Sequence, residues 1–300
     1  MRKKPQTFTR NKEYARVLQR ETIERCLRHK LGRLAYFGLP SSSLNDVKAW
    51  QDIVESFVAV ERGEEGKEWE LQHDLQLEAF RAQLFTRIIL MRGDIDSVIL
   101  KGKDISNNIL HYPFDVISLD YSGGLFYKDR KGTFLRLRAI SAAIAAQGKK
   151  HADFVLLISC NLSAIDQGEV KNTIENIRTD LTRYGASADQ VINSYQKHQR
   201  NEVRLKLYVP YLVNQAAAKN HYYCETQQVV FYSGNQDVSM MMFRFCLKFD
   251  ARTESLRSPK ERLSQIINKP MIQIENGLPM ETNLQLPKLA LLEESRKANA

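Results

Sequence analysis

The sequence alternates five short apolar runs with stretches of helical periodicity, and this alternation limits the possible fold more than any other feature. Strands that are apolar on both faces are typical of a parallel sheet that helices cover on both sides. Neighbouring parallel strands are joined by right-handed crossovers. The pattern therefore predicts an α/β fold with a Rossmann-like, doubly wound and mostly parallel sheet. The apolar runs are residues 34–39, 57–61, 88–91, 114–120 and 153–160, and the helical stretches are residues 44–55, 67–86, 133–147 and 169–183.

The pattern changes after residue 186. Residues 229–232 and 240–249 flank a turn rich in Gly, Asn and Asp, which predicts an antiparallel hairpin. Three prolines in residues 270–300 predict an extended tail. We therefore expect three parts: a basic helical arm (1–32), a Rossmann-like domain (33–250, with an insertion at 186–225), and a basic segment with an extended C-terminal tail (251–300).

The positive charge of the chain is concentrated near its N-terminus. The formal net charge is +9, and residues 1–33 carry eleven Lys and Arg against three Glu, a net charge of 11 − 3 = +8. A segment of this kind neutralises phosphates and releases their counterions. The charge predicts nucleic-acid contact through Arg2, Lys3, Lys4 and Arg10. The alternative is a solvated helical arm that packs elsewhere on the protein.

Several classes of protein are excluded by what the sequence lacks. No apolar run approaches the roughly 18 residues that a membrane span needs, and no apolar stretch follows the basic N-terminus as in a secretory signal. The four cysteines form no C-x-x-C pair, so we expect reduced thiols and a cytoplasmic location. The six histidines show no zinc-ligand spacing.

Three predicted strands end in residues suited to binding a nucleotide, and ligands of such sheets lie at the carboxyl ends of the strands. The turn from Gly38 to Ser41 leads into a helix N-terminus, where free N–H groups attract anions. Glu61 follows Gly38 by 23 residues, in the place of a ribose-binding acid. Asp94 follows Gly93 and can accept a hydrogen bond from an exocyclic amine. Each segment is also an ordinary turn, so only the ordered set carries the prediction.

The fourth strand ends in Asp120 and Tyr121, followed by a loop with two glycines. A carboxylate at this place can hold a nucleophilic amine by hydrogen bonds, so Asp120 and Tyr121 are candidate catalytic residues. A simple turn is the alternative interpretation. A shared metal held by Asp94, Asp96 and Asp120 in a nuclease is a further alternative, although no spacing specifically supports it.

Taken together, these motifs resemble the class I S-adenosylmethionine-dependent methyltransferases. The resemblance covers residues 33–165 and extends to the hairpin at 226–249, which takes the place of the antiparallel edge strand of that family. It implies S-adenosylmethionine as the cofactor. By position it implies a methionine-binding loop at Gly38 to Ser43, a ribose-binding acid at Glu61, a residue near the adenine amine at Asp94, and the catalytic Asp/Asn-Pro-Pro-aromatic motif at Asp120 and Tyr121.

The chain departs from this family pattern in two places. The loop after the first strand lacks the glycine-rich sequence, and the motif after the fourth strand has no prolines. Two hypotheses therefore remain open: a methyltransferase-like protein that acts on or binds nucleic acid, and a catalytically degenerate Rossmann-fold subunit that binds nucleic acid or a partner protein. Dinucleotide-dependent and P-loop enzymes are disfavoured because their glycine fingerprints are absent.

Overall fold

The computed structural model describes residues 10–40, 44–62, 68–126, 128, 134–162, 167–181, 192–193, 201–233, 238–251 and 259–281. Four of the predicted site residues lie outside these ranges, namely Arg2, Lys3, Lys4 and Ser41. The helices are α1 (Arg10–Cys26), α2 (Asn45–Trp50), α3 (Glu68–Arg81), α4 (Ile95–Lys101), α5 (Leu135–Gly148), α6 (Gln167–Leu181), α7 (Asn201–Lys219) and α8 (Pro259–Asn268). The strands are β1 (Leu34–Gly38), β2 (Val54–Glu61), β3 (Ile88–Arg92), β4 (Val116–Asp120), β5 (Phe154–Asn161), β6 (Tyr222–Thr226), β7 (Val229–Ser233), β8 (Ser239–Phe249), β9 (Met271–Glu275) and β10 (Leu278–Glu281).

All ten strands form one sheet in the order β10-β9-β7-β8-β5-β4-β1-β2-β3, with β6 paired to β8 beside this path. Strands β1 to β5 are parallel to one another, in the Rossmann-type order 3-2-1-4-5. The direction of progress along the sheet reverses between β1 and β4, which makes this point the topological switch of the sheet. The predicted α/β, mostly parallel, Rossmann-like fold is confirmed.

Helices cover the sheet on both faces because its central strands are apolar on both sides. All but the last residues of β4 and β5 are buried. One face packs against α4, α5, α6, α7 and α8 in the largest core cluster. The other face packs against the end of α1 and against α2 and α3, with Trp50 and Phe57 fully buried there. The doubly wound arrangement is therefore confirmed.

The predicted hairpin is formed by β7 and β8, which pair antiparallel from Val230–Met242 to Ser233–Ser239. The implied edge position is wrong, because β8 lies between β5 and β7 and the sheet continues beyond it through β9 and β10. Part of the predicted extended tail also belongs to the sheet, since β9 and β10 form a second antiparallel hairpin.

Helix α1 packs against the sheet through its inner face. Ala15 and Leu18 join a core cluster with residues of β7, β8 and β9. Arg244 of β8 is buried, and its guanidinium donates hydrogen bonds to the carbonyl oxygen of Leu18 (2.7 Å) and to Oγ1 of Thr22 (2.9 Å). From residue 10 onward, the predicted basic arm is thus in contact with the domain.

Two cysteines are paired. Cys26 at the end of α1 is joined by a disulfide to Cys246 of β8, with a Cα–Cα distance of 6.1 Å, so the expectation of reduced thiols is wrong for these two residues. Cys160 and Cys224 are buried free thiols. No helix among the described residues is both long and apolar enough to span a membrane.

Candidate functional site

A cavity of about 520 Å³ lies at the carboxyl ends of β1 to β4, at the topological switch of the sheet. Its volume is within the range of roughly 300–1,000 Å³ that is usual for small-molecule sites. Helices α1, α2, α4 and α5 and strand β8 complete the wall. The lining residues include Lys12, Arg16, Leu39, Asp46, Glu61, Gly93, Asp94, Asp96, Asp120, Tyr121, Arg136 and Met240.

Four of the residues predicted from the sequence line this cavity together. Glu61, Asp94, Asp120 and Tyr121 come from three different strand ends, and the parallel sheet brings those ends to one edge. Arg10, the one predicted nucleic-acid residue among those described, begins α1 and does not line the cavity.

Gly38 does not line the cavity either, and its requirement for glycine has a different cause from the predicted one. A Cβ atom at this position would overlap the carbonyl oxygen of Ser118 in β4 and would lie 2.6 Å from the hydroxyl of Tyr36. Glycine therefore permits close packing of β1 on β4. The neighbouring Leu39 reaches the cavity, and its N–H donates to the same Ser118 oxygen at 3.2 Å.

Glu61 is the last residue of β2, and its partly buried carboxyl group faces the cavity. Burial raises the pKa of Glu61 to about 7, and the nearby charge of Asp120 adds to this effect. A buried carboxylate of this kind gains stability from a ligand that brings hydrogen-bond donors or positive charge.

Asp94 is held in place by the start of α4. It is the N-cap of this helix, and its Oδ1 accepts a hydrogen bond from the N–H of Ser97 at 3.1 Å. Gly93 before it has φ +130°, a conformation that side chains other than glycine rarely adopt. The Gly-Asp pair was predicted as part of a binding turn, whereas helix α4 itself was missed.

Asp120 ends β4 at the centre of the cavity edge. Burial raises its pKa to about 6, and the charge of Asp46 acts in the same direction. Lys12 and Arg16 of α1 oppose this shift and favour the carboxylate. The ionisation of Asp120 therefore depends on α1, which belongs to the predicted basic arm.

Tyr121 is fixed by two neighbours, Asp96 and Arg136. It is 3% exposed, and its hydroxyl donates a hydrogen bond of 2.7 Å to Oδ1 of Asp96. The guanidinium of Arg136 lies 4.7 Å from the centre of its ring, and Arg136 Nε is 3.9 Å from Oδ2 of Asp96. The phenol is thus engaged with Asp96, and its ring forms part of the wall.

Six charged residues of the wall were not among the predicted site residues: Lys12, Arg16, Asp46, Arg62, Asp96 and Arg136. Lys12 and Arg16 are four residues apart and therefore share one face of α1, a spacing that was available in the sequence. Asp96 is two residues beyond Asp94. Arg136 belongs to no local motif, because only the packing of α5 beside α4 brings it to the cavity.

The carboxylates of the cavity differ in their partners. Arg16 forms an ion pair with Asp46 (2.5 Å), and Arg136 is near Asp96. Among the described residues, no ion pair within 4 Å involves Glu61, Asp94 or Asp120. In the same part of the chain, no group of three or more His, Cys, Asp or Glu is placed to hold a metal ion. The three predicted acids therefore form an electronegative patch suited to a cationic ligand with hydrogen-bond donors.

The raised pKa of Glu61 predicts that stability depends on pH. Its ordinary pKa is 4.5, so between pH 4.5 and 7 the folded protein holds the proton that the unfolded chain has lost, and stability falls as pH rises. Glu61→Gln is expected to remove this loss, gaining about 3 kcal/mol over the wild type from pH 4.5 to 7. Urea unfolding at pH 5 and pH 8 measures the difference. Glu55→Gln, at the exposed start of the same strand, is the control, and an equal pH dependence in both variants would contradict the assignment.

The sequence matches no protein-family model and no curated protein. Among solved structures, the chain is similar to the O-methyltransferase TomG from Streptomyces achromogenes in complex with SAM, at 8% identity, with 77% of this chain and 80% of that chain covered and a TM-score of 0.43. It is similar to an rRNA methylase from Streptococcus thermophilus, at 10% identity, with 77% and 97% covered and a TM-score of 0.42.

A third similar structure is the O-methyltransferase from Bacillus cereus in complex with SAH, at 12% identity, with 78% of this chain and 87% of that chain covered and a TM-score of 0.40. Because these identities and TM-scores are low, the assignment of a Rossmann-like fold depends on the strand order of this chain.

Proposed function

We propose that this protein is a methyltransferase-like protein that binds S-adenosylmethionine in the cavity at the switch point and acts on or binds nucleic acid. One observation carries the proposal. Glu61, Asp94 and Asp120 were selected from the sequence for separate roles toward ribose, adenine and an amine, and all three line a single cavity of about 520 Å³.

The residues of the cavity fit the chemical groups of this cofactor. Glu61 can accept hydrogen bonds from ribose hydroxyls, and Asp94 can accept one from an exocyclic amine. The electronegative patch favours the positive sulfonium and ammonium groups, whereas Lys12 of α1, which also lines the cavity, favours a carboxylate. The bound cofactor supplies a methyl group activated by its sulfonium.

In methyl transfer, the role of the protein is to bind and orient the acceptor. Asp120, ionised above pH 6, accepts a hydrogen bond from an acceptor amine and directs its lone pair. Asp96 and Arg136 hold Tyr121, and Arg136 also donates a hydrogen bond of 2.5 Å to the carbonyl oxygen of Gly124. This network fixes the loop that follows Asp120, so Tyr121 acts as a positioning residue.

A nucleic-acid acceptor is supported by the charge of the chain. The net charge of residues 1–33 is +8, but Arg16 and Arg20 are used in ion pairs with Asp46 and Asp52. The cations before α1 and at its start are therefore the ones assigned to phosphate contact: Arg2, Lys3, Lys4 and Arg10. A base inside a duplex would have to leave the stack to reach the cavity.

Calorimetric titration tests the cofactor. The purified protein is titrated with S-adenosylmethionine and S-adenosylhomocysteine, with NAD as the control ligand. Saturable binding at micromolar concentration with no heat from NAD is expected. Asp120→Asn is expected to keep this binding and to lose transfer of a labelled methyl group to RNA or DNA. The absence of both heat and thermal stabilisation would overturn the proposal.

The catalytically degenerate subunit gives a different result. It predicts nucleic-acid binding that weakens with salt and does not require the cofactor. Neutralising Arg2, Lys3, Lys4 and Arg10 together is expected to reduce the slope of log affinity against log salt by about 0.9 for each lost phosphate contact. Neutralising Lys149 and Lys150, which are exposed beyond the end of α5, is the matched control.

A further inference from the structure

A second cavity lies between α5 and α7, beside the end of α4, on the face of the sheet that packs against α4 to α8. Its volume is about 810 Å³, and it shares no lining residue with the cavity at the switch point. We refer to it as the interhelical groove. The residues that line it include Leu100, Leu137, Arg138, Ser141, Leu212 and Lys219.

The floor of the interhelical groove is apolar. Leu100 of α4, Leu137 of α5 and Leu212 of α7 all contribute to it, and each stays partly exposed although its neighbours belong to the main core. Small side chains at Ser141 and Ala216 leave room between the two helices. A concave, mostly apolar surface with a few polar groups is the usual form of a small-molecule site.

The polar groups of the interhelical groove carry a single sign of charge. Among the described lining residues, Arg138 and Lys219 carry charge, and none is Asp or Glu. Both side chains are exposed, and neither forms an ion pair or side-chain hydrogen bond with the described part of the chain. The groove therefore combines an apolar floor with two cations that have no counter-charge within the described residues.

We infer that the interhelical groove binds an amphiphile with one alkyl chain and an anionic head group, as in a long-chain carboxylate. The alkyl chain would cover Leu100, Leu137 and Leu212, and the head group would lie between Arg138 and Lys219. A second copy of this chain is a poor occupant, because a two-fold contact places the same patch on both sides and brings four cations together. The acidic helix of another protein is a separate possibility that the test below distinguishes.

The test uses dodecanoate, dodecanol and dodecyltrimethylammonium below their micelle concentrations, with displacement of a fluorescent apolar dye as the readout. The expected order of affinity is the carboxylate first, the alcohol second and the cation last. Among carboxylates, affinity is expected to rise roughly tenfold for every two added methylenes. Equal binding of the anionic and cationic amphiphiles would overturn the inference, since the cations would then have no role.

Two pairs of variants locate the binding. Ser141 is exposed and lines the groove, so Ser141→Trp fills it without entering the core and is expected to abolish binding, whereas Ser106→Trp, on an exposed loop elsewhere, is not. Arg138→Gln with Lys219→Gln is expected to remove the preference for carboxylate over alcohol, and Lys149→Gln with Lys150→Gln to keep it. Unchanged binding in Ser141→Trp would refute the site. A wild-type oligomer that dissociates in this variant would also refute it.

These measurements are independent of the proposed function. Binding of dodecanoate is read without S-adenosylmethionine, and the two cavities have no lining residue in common. Failure of the cofactor titration therefore does not contradict the inference about the interhelical groove. Failure of dodecanoate binding likewise does not contradict the proposed function. An acidic amphipathic peptide that displaces the dye when dodecanoate does not would show that the occupant is a protein helix and would overturn the inference.

Discussion

Phe243→Ala is expected to lower the free energy of unfolding by about 3–5 kcal/mol, the usual range for deletion of a fully buried phenylalanine. Phe243 is 0% exposed and lies in β8, opposite Ile158 of β5. Its side chain is on the face that packs against the main core, together with Met241 and Phe245. The change removes the transfer energy of the ring and leaves a cavity in the core beneath β8.

Urea unfolding followed by circular dichroism measures this loss. Phe80→Ala is the matched control, because Phe80 is 69% exposed at the end of α3 and its removal is expected to change stability by less than about 0.5 kcal/mol. Equal effects of the two substitutions would show that β8 is not an interior strand of the sheet.

Glu61→Lys is expected to weaken binding of S-adenosylmethionine by about 100-fold or more. The substitution removes a carboxylate that accepts hydrogen bonds, a loss of about 1.5–3 kcal/mol for a charged partner, and it adds a cation facing the ligand's positive groups. The partly buried position of Glu61 increases both effects, since water screens them less. Because a cationic ligand favours ionised acids, wild-type affinity is also expected to rise between pH 6 and pH 8.

Calorimetry with the cofactor at pH 7.5 provides the measurement. Glu55→Lys makes the same chemical change at the exposed start of β2, far along the strand from the cavity, and is expected to bind as the wild type does. Full affinity in Glu61→Lys would remove the ribose-binding assignment, even if binding of the cofactor itself were established.

The parallel half of the sheet could be predicted from the sequence because its signals are local. Strands β1, β4 and β5 are continuous apolar runs, as burial on both faces requires, and β2 and β3 each contain a shorter apolar run although parts of them are exposed. The acids Glu61, Asp94 and Asp120 could be predicted for the same reason, since each lies at or just beyond the end of a strand and the topology then places strand ends together.

Strands β9 and β10 were missed because the prolines of residues 270–300 were interpreted as an extended tail. Pro279 indicated a tail, yet it lies in β10, an edge strand, where a missing N–H costs no ladder hydrogen bond. Asn276 and Gly277, both with positive φ, form the two-residue turn between β9 and β10. An Asn-Gly pair between apolar residues is the strongest short-range hairpin signal, and it was present in the sequence.

The rest of the site depends on contacts between distant residues, and no local pattern reports them. Arg136 reaches Tyr121 only because α5 packs beside α4. Lys12 and Arg16 face the cavity because α1 is held on the sheet by the buried Arg244 of β8, more than two hundred residues later in the chain. The sequence shows that Lys12 and Arg16 are positively charged, but it does not show that their side chains face the cavity.

The position of β8 between β5 and β7 also affects how the chain is made. After β5 leaves the ribosome, roughly 80 residues must be synthesised before Ser239–Phe249 can pair with it, which takes roughly 4–16 s at typical elongation rates. Throughout that interval the exposed border of β5 offers unpaired N–H and C=O groups and apolar side chains to any other nascent strand. We therefore expect expression of this protein to depend on chaperones, and chains that end before residue 239 to accumulate as aggregates.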